Sequence, residues 1–195
     1  MISHKKKFIF IHIPGTAGTS IEHALSDYQS GRLINISGGI WVSDENTKKK
    51  IKDLFGEDVS NNSKHLTAHQ WKEVLGDKFE EYYKFTIVRN PHDKVVSLFN
   101  FNKKKPNEQP KWVIHQSMFL TNNLGDVIVD DIFKFEELEE SWKIICKKLN
   151  IDFKPLPHKN KRNLNNKKIN TILSREEITK LNEELSLDFE LLGYK

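Results

Sequence analysis

A chain of 195 residues, 37% apolar and 30% charged, is long enough to bury a real core and reads as one soluble globular domain over residues 1–195. Its net charge of +4 suits an anionic ligand, but the charge is mild and scattered between acidic segments, which argues against a nucleic-acid partner. A lone cysteine, Cys146, excludes an internal disulfide; no apolar run is long enough to cross a membrane, and the run after Lys5, Lys6 and Lys7 stops at Pro14, too early for a secretion signal, so a cytoplasmic protein without a membrane partner is expected.

The bulky apolar run Phe8 to Ile13 predicts a buried strand, ended by Pro14 and Gly15. Gly18 reopens the chain for a helix over Ser20 to Leu25. A strand, a glycine turn and a helix N-terminus aim several backbone N–H groups at one spot, which favours a phosphate-like anion. Thr16, Thr19 and Ser20 can add hydroxyl donors. The common phosphate loop GxxxxGK[ST] needs a lysine before its hydroxyl residue, and none stands here. Taken alone, the turn is equally compatible with plain architecture.

Arg32 to Ile36 predicts a second short strand ended by Ser37, Gly38 and Gly39, and residues 44–55 a helix with Ile51, Leu54 and Phe55 inward. Asp58 to Lys64 reads as loop by composition. Thr67 and Gln70 form a capping-box pattern and Gly76 a stop, so His65 precedes a helix and His69 lies in its first turn. A histidine at such a helix start is biased toward the neutral form that a general base needs, although both could simply bond the loop backbone.

Lys84 to Val88 predicts another buried strand, followed at once by a helix with Asn90 as N-cap and Pro91 in its first position. Arg89 therefore falls at a strand's carboxyl end, where open α/β sheets bind ligands, and its planar fork suits a phosphate. Ser97 lies two turns into that helix. Val127–Val129 and Ile132–Phe135 are short strand candidates, and Glu136 to Leu149 is a helix whose face Leu138, Trp142, Ile145 and Leu149 turns inward, with Cys146 an inert thiol beside it. Pro155 to Asn170 reads as a linker or covering loop, and a last helix starts at Ser174, with Glu177 completing its capping box. No metal-ligand spacing is present.

Two strand-to-helix anion sites with histidines between them suit a ligand with two separated phosphates. At this point HIPGTAGTSI resembles the 5′-phosphosulfate loop of the sulfotransferase family, in its carbohydrate-type branch, and VRNPHDKVVSLF resembles the family's 3′-phosphate motif, with the likeness spanning Phe8 to Arg162. The resemblance implies an α/β fold in three layers around a central parallel sheet, related to phosphate-loop nucleotide kinases. It implies 3′-phosphoadenosine 5′-phosphosulfate (PAPS) as donor, the bisphosphate PAP as product, no metal, and a small-molecule or carbohydrate hydroxyl as acceptor. By that likeness Gly15, Thr16, Ala17, Gly18, Thr19 and Ser20 hold the 5′-phosphosulfate, Arg89 and Ser97 the 3′-phosphate, and His65 is the base, with His69 as its alternative. Lys159, Lys161 and Arg162 stand where a family loop closes over the nucleotide.

One departure bears on the chemistry. The family's loop lysine is Gly15 here, and losing such a stabiliser commonly lowers rates by about 10²–10³. Either another lysine substitutes, or the chain binds its donor with little turnover, or the glycine is an engineered change. If residue 15 has negative φ, a lysine restored there is expected to fold and to speed transfer. A small-molecule kinase using ATP would need both that lysine and a magnesium-binding carboxylate near the loop.

Overall fold

A computed structural model describes residues 1–30, 34–36, 39–41, 45–61, 63–109, 111–157 and 168–195. Its main sheet joins β1 (Ile2–Ser3), β2 (Phe8–Ile11), β5 (Tyr83–Val88) and β6 (Asp131–Lys134) in the order β1-β2-β5-β6. β1 is antiparallel to β2, whereas β2, β5 and β6 run parallel. A separate antiparallel hairpin pairs β3 (Ile34–Ile36) with β4 (Gly39–Trp41). The strand expected at 32–36 is thus confined to 34–36 and belongs to this hairpin, and Gly39 begins its second arm; residues 32, 33, 37 and 38 lie outside the described set.

The helices follow from their caps. They are α1 (Gly18–Ala24), α2 (Glu45–Phe55), α3 (Glu57–Asn61), α4 (Ala68–Leu75), α5 (Pro91–Asn102), α6 (Lys111–Ile114), α7 (Leu138–Leu149), α8 (Arg175–Glu184) and α9 (Ser186–Leu191). Thr67 and Gln70 form the expected capping box of α4, and Ser174 and Glu177 that of α8. The Asn90 side chain accepts from the N–H groups of His92 and Asp93 at the start of α5. Such caps stabilise a helix by about 1 kcal/mol each.

Three expectations change, and one helix is added. Asp58 to Lys64 is mostly helical, as α3 and a 3₁₀ turn over Ser63–His65, because α3 packs against α2 despite its polar composition. Leu54 is 48% exposed instead of inward. The strand expected at Val127–Val129 reduces to one bridge, Thr121 to Val127. α9 was hidden because its six residues follow α8 directly, without a stop residue between them.

Phe8, Ile9, Phe10 and Ile11 are all fully buried, as are Phe85 and Ile87. Burial on both faces is what a parallel sheet flanked by helices requires. Each such side chain contributes roughly 1.5–3 kcal/mol of transfer free energy. The main core gathers the sheet with Ile21, Trp71, Trp142 and Ile145, and Cys146 is buried within it. A second cluster of Val95, Leu98, Ile114, Leu173, Leu181 and Leu185 docks α5, α6 and α8 together.

The register sets the site. Ile11 lies opposite Thr86 and Val88 opposite Lys134, so the chain leaves β2, β5 and β6 at one edge of the sheet. At the opposite edge the start of β6 is pinned: Asp130 accepts the Lys84 N–H at 2.7 Å, and Asp131 accepts the Tyr83 hydroxyl at 2.5 Å.

Candidate functional site

β2 ends at Ile11, short of the strand expected to run to Ile13, and the chain passes through His12 and Ile13 into the turn Pro14–Ala17. Gly15 has φ +83° and Ala17, the N-cap of α1, φ +68°, while Thr16 between them stays on the negative side. Alternating hand along successive residues makes neighbouring N–H groups converge, which is the geometry of an anion nest. Thr16 is fully buried and its hydroxyl donates to the Ile13 carbonyl at 2.9 Å, so that proton closes the turn. Thr19 is half-buried and Ser20 buried in the first turn of α1.

With positive φ at Gly15, the condition set for a lysine there to fold without backbone cost is not met. A Cβ there would sit 3.5 Å from Leu98 and 3.6 Å from Lys94 Cγ, so a side chain would start against α5. Space is ordinary; the backbone hand is what glycine supplies. Gly18 is required for a different reason. A Cβ on it would fall 2.1 Å from His12 Cδ2 and 2.2 Å from Nε2, so the imidazole of His12 lies flush against the loop.

That imidazole is buried, with Nδ1 at 2.9 Å from Glu22 Oε1 on α1. Both Glu22 oxygens lack a hydrogen-bond donor among the described residues. His12 also meets His65: the ring centroids are 4.7 Å apart and near-perpendicular, and His65 Nδ1 is 3.0 Å from the His12 carbonyl. A carbonyl can only accept, so Nδ1 carries the proton and Nε2 is the basic nitrogen of His65. Burial first, and the neighbouring His12 second, push the His65 pKa down to about 2. His69, in the first turn of α4, approaches Glu73 at 3.5 Å.

Arg89 leaves the adjacent end of β5. Only 9% exposed, it reaches across to the first loop, where Nη1 donates to the Gly15 carbonyl at 3.4 Å. Its guanidinium carbon lies 4.2 Å from the ring centre of Phe135, which follows β6. Nε is buried and has no partner among the described residues. Burial lowers the arginine's pKa, opposed by Asp93 and Glu136. The Gln116 side chain brackets its backbone: Oε1 accepts the Arg89 N–H at 2.9 Å and Nε2 donates to the Arg89 carbonyl at 2.7 Å.

The structure therefore joins the two sequence motifs at Gly15 and Arg89 and sets His65 beneath the first through His12. Ser97 is half-buried on α5. Lys159, Lys161 and Arg162 lie outside the described residues. His12, Glu22, Gln116 and Phe135 were missed: His12 hides within an apolar strand pattern, and the others meet the site only through tertiary contacts. Among the described residues no group of histidine, cysteine and carboxylate side chains could hold a metal ion, and no helix is long and apolar enough to cross a membrane.

No curated protein and no solved structure matches the chain. A family model described as the sulfotransferase family matches residues 1–125, a span containing the glycine turn, His65, Arg89 and Gln116. With that match over most of its length, and the ends of β2 and β5 inside it, the chain belongs to the sulfotransferase family.

Proposed function

We propose that this chain takes a sulfonyl group from PAPS and passes it to a hydroxyl of a small, carbohydrate-like acceptor. The observation that carries this reading is Arg89, a buried guanidinium bound to the carbonyl of Gly15 while its Nε has no partner among the described residues. A buried cation left half-satisfied is costly, and a phosphate monoester completes it with charge-assisted hydrogen bonds. The donor's two phosphate positions fit two anion-facing strand ends, the nest of Gly15 to Ser20 for one and Arg89 for the other, with Ser97 and the cations of Lys159, Lys161 and Arg162 as further partners of the nucleotide. PAPS, when bound, supplies a sulfonyl group already joined to a phosphate leaving group.

The remaining work is the chain's own. The His12 carbonyl holds His65 as the Nδ1–H tautomer, so Nε2 is the atom that takes the acceptor's proton. At neutral pH His65 is the neutral imidazole with Nε2 unprotonated, as a base must be, yet its depressed pKa makes it a weak one. An anion held at the neighbouring loop favours the imidazolium and lifts His65 toward a working range. The loop N–H groups orient the donor and Phe135 holds the Arg89 plane.

A second reading is a donor-binding protein with little turnover, favoured by Gly15 and its backbone hand. Calorimetry tests the first claim: PAP should bind more tightly than AMP or ATP, and Arg89→Ala should erase that order. Equal affinities for all three nucleotides would refute the reading. PAP release from PAPS in the presence of sugar acceptors then separates enzyme from binder.

A further inference from the structure

Gln116 is fully buried, and its amide engages both polar atoms of the Arg89 peptide unit at 2.9 and 2.7 Å. That two-point bond fixes which end of the amide is oxygen. It also does for Arg89 what a neighbouring strand would do, at the point where β5 has run out of partners. Gln116 is itself held by ionisable groups. The carboxylate of Asp188 on α9, fully buried, accepts the Gln116 N–H at 2.6 Å and the Ser117 N–H at 2.8 Å. Lys94 on α5, also fully buried, donates to the carbonyls of Val113 at 2.5 Å and Ile114 at 2.8 Å.

Signs and dipoles agree throughout this arrangement. The Lys94 amine donates to the last carbonyls of α6, and the carboxylate sits on the first N–H groups of the turn that follows, each the favourable end. Segment 113–117 is thus clamped from two sides. Burying a lysine and an aspartate is expensive unless their bonds are fully made, so a clamp of this kind has one well-defined geometry. It meets the end of β5 through the Gln116 amide on Arg89. A guanidinium displaced by a fraction of an ångström loses much of its advantage toward a fixed phosphate.

We infer that Gln116, fixed by Asp188 and Lys94, is a positioning residue that aims Arg89 and so sets the preference for a nucleotide bearing a 3′-phosphate; this rests on the donor reading given above. α9 lies beyond the residues that the family model matches, so the C-terminal helices belong to the recognition apparatus and are more than a cover for the sheet.

The test is the ratio of PAP to AMP affinity by calorimetry, alongside thermal melting of each variant. In the unaltered chain PAP must bind more tightly than AMP; if it does not, the donor reading fails and the Gln116 inference with it. Gln116→Met keeps size and loses both bonds. The expected result is a loss of about tenfold or more in the ratio with AMP affinity nearly unchanged. A lowered melting temperature with the ratio intact, against a preference present in the unaltered chain, overturns the inference alone. Should Gln116→Met fail to fold, Gln116→Glu decides by the same ratio: it keeps the acceptor for the Arg89 N–H and loses the donor to its carbonyl, and an unchanged ratio overturns the inference. Asp188→Asn, which touches no nucleotide, should shift the ratio in the same direction by a smaller factor.

Discussion

The two strand ends that meet at the site are built in opposite ways. After β2 the polar surface is backbone, shaped by Gly15, Ala17 and the contact of His12 with Gly18, all within residues 12–22. After β5 it is one side chain, Arg89, and its supports come from Gln116, Phe135 and, through Gln116, Asp188. A backbone site tolerates no added atoms where the chain is tightest, whereas a side-chain site tolerates no loss among distant residues. The first is a local property of sequence and the second is a property of the whole fold.

Several substitutions sharpen that contrast. The largest effect is expected at His65, the proposed base beneath the backbone site: His65→Ala should slow PAP release from PAPS with a sugar acceptor by about 10²–10⁴-fold. PAP affinity, measured by calorimetry, should barely change. If His69→Ala is instead the variant that binds but does not turn over, the contact between His12 and His65 is only structural.

Within the loop the two glycines should differ. Gly18→Ala drives a methyl into the His12 ring and should lower stability in urea by about 2–3 kcal/mol, with PAP binding lost alongside. Gly15→Lys meets open enough space but the wrong backbone hand, and should lower it by only about 1–2 kcal/mol. Because that side chain would start against Leu98 and Lys94, single-turnover transfer should be no faster than in the unaltered chain. The reverse order of stabilities, or a faster Gly15→Lys, breaks the account of a backbone-built site.

The smallest effect is a slope. Burial lowers the Lys94 pKa from 10.5 to about 7, opposed by Asp188, so between those values the unfolded chain holds a proton that the native protein lacks. Native stability should therefore rise relative to Lys94→Met from neutral to alkaline pH, by at most about 1.4 kcal/mol per pH unit, and the difference should flatten below neutrality. Urea titrations of both proteins across that window measure it. A difference that falls as pH rises would show that Lys94 stays charged in its clamp.

What the sequence disclosed follows the same division. The strand from Phe8, the caps at Thr67, Asn90 and Ser174, and the placing of Arg89 at a strand end are all encoded by neighbours along the chain. The sign of φ at Gly15 is not legible in the sequence because glycine itself gives no hint of hand. Asp58 to Lys64 was misjudged because polar residues can be helical when a neighbouring helix supplies the contact. Gln116 and Asp188 were invisible for a plainer reason: an isolated glutamine or aspartate carries no pattern, and only tertiary packing brings them to the Arg89 backbone.

The pinned start of β6 has a consequence for how relatives of this chain can diverge. Asp130 and Asp131 anchor that strand to Lys84 and Tyr83, upstream of Phe135. Insertions in the turn around 122–126 are absorbed before the anchor and leave the edge that carries Gly15 and Arg89 untouched. A single residue inserted between Asp131 and Phe135 is not absorbed: side chains alternate along a strand, so the phenyl ring would swing to the opposite face and leave Arg89 without its platform. Length variation should accordingly accumulate on one side of those two aspartates and be purged on the other.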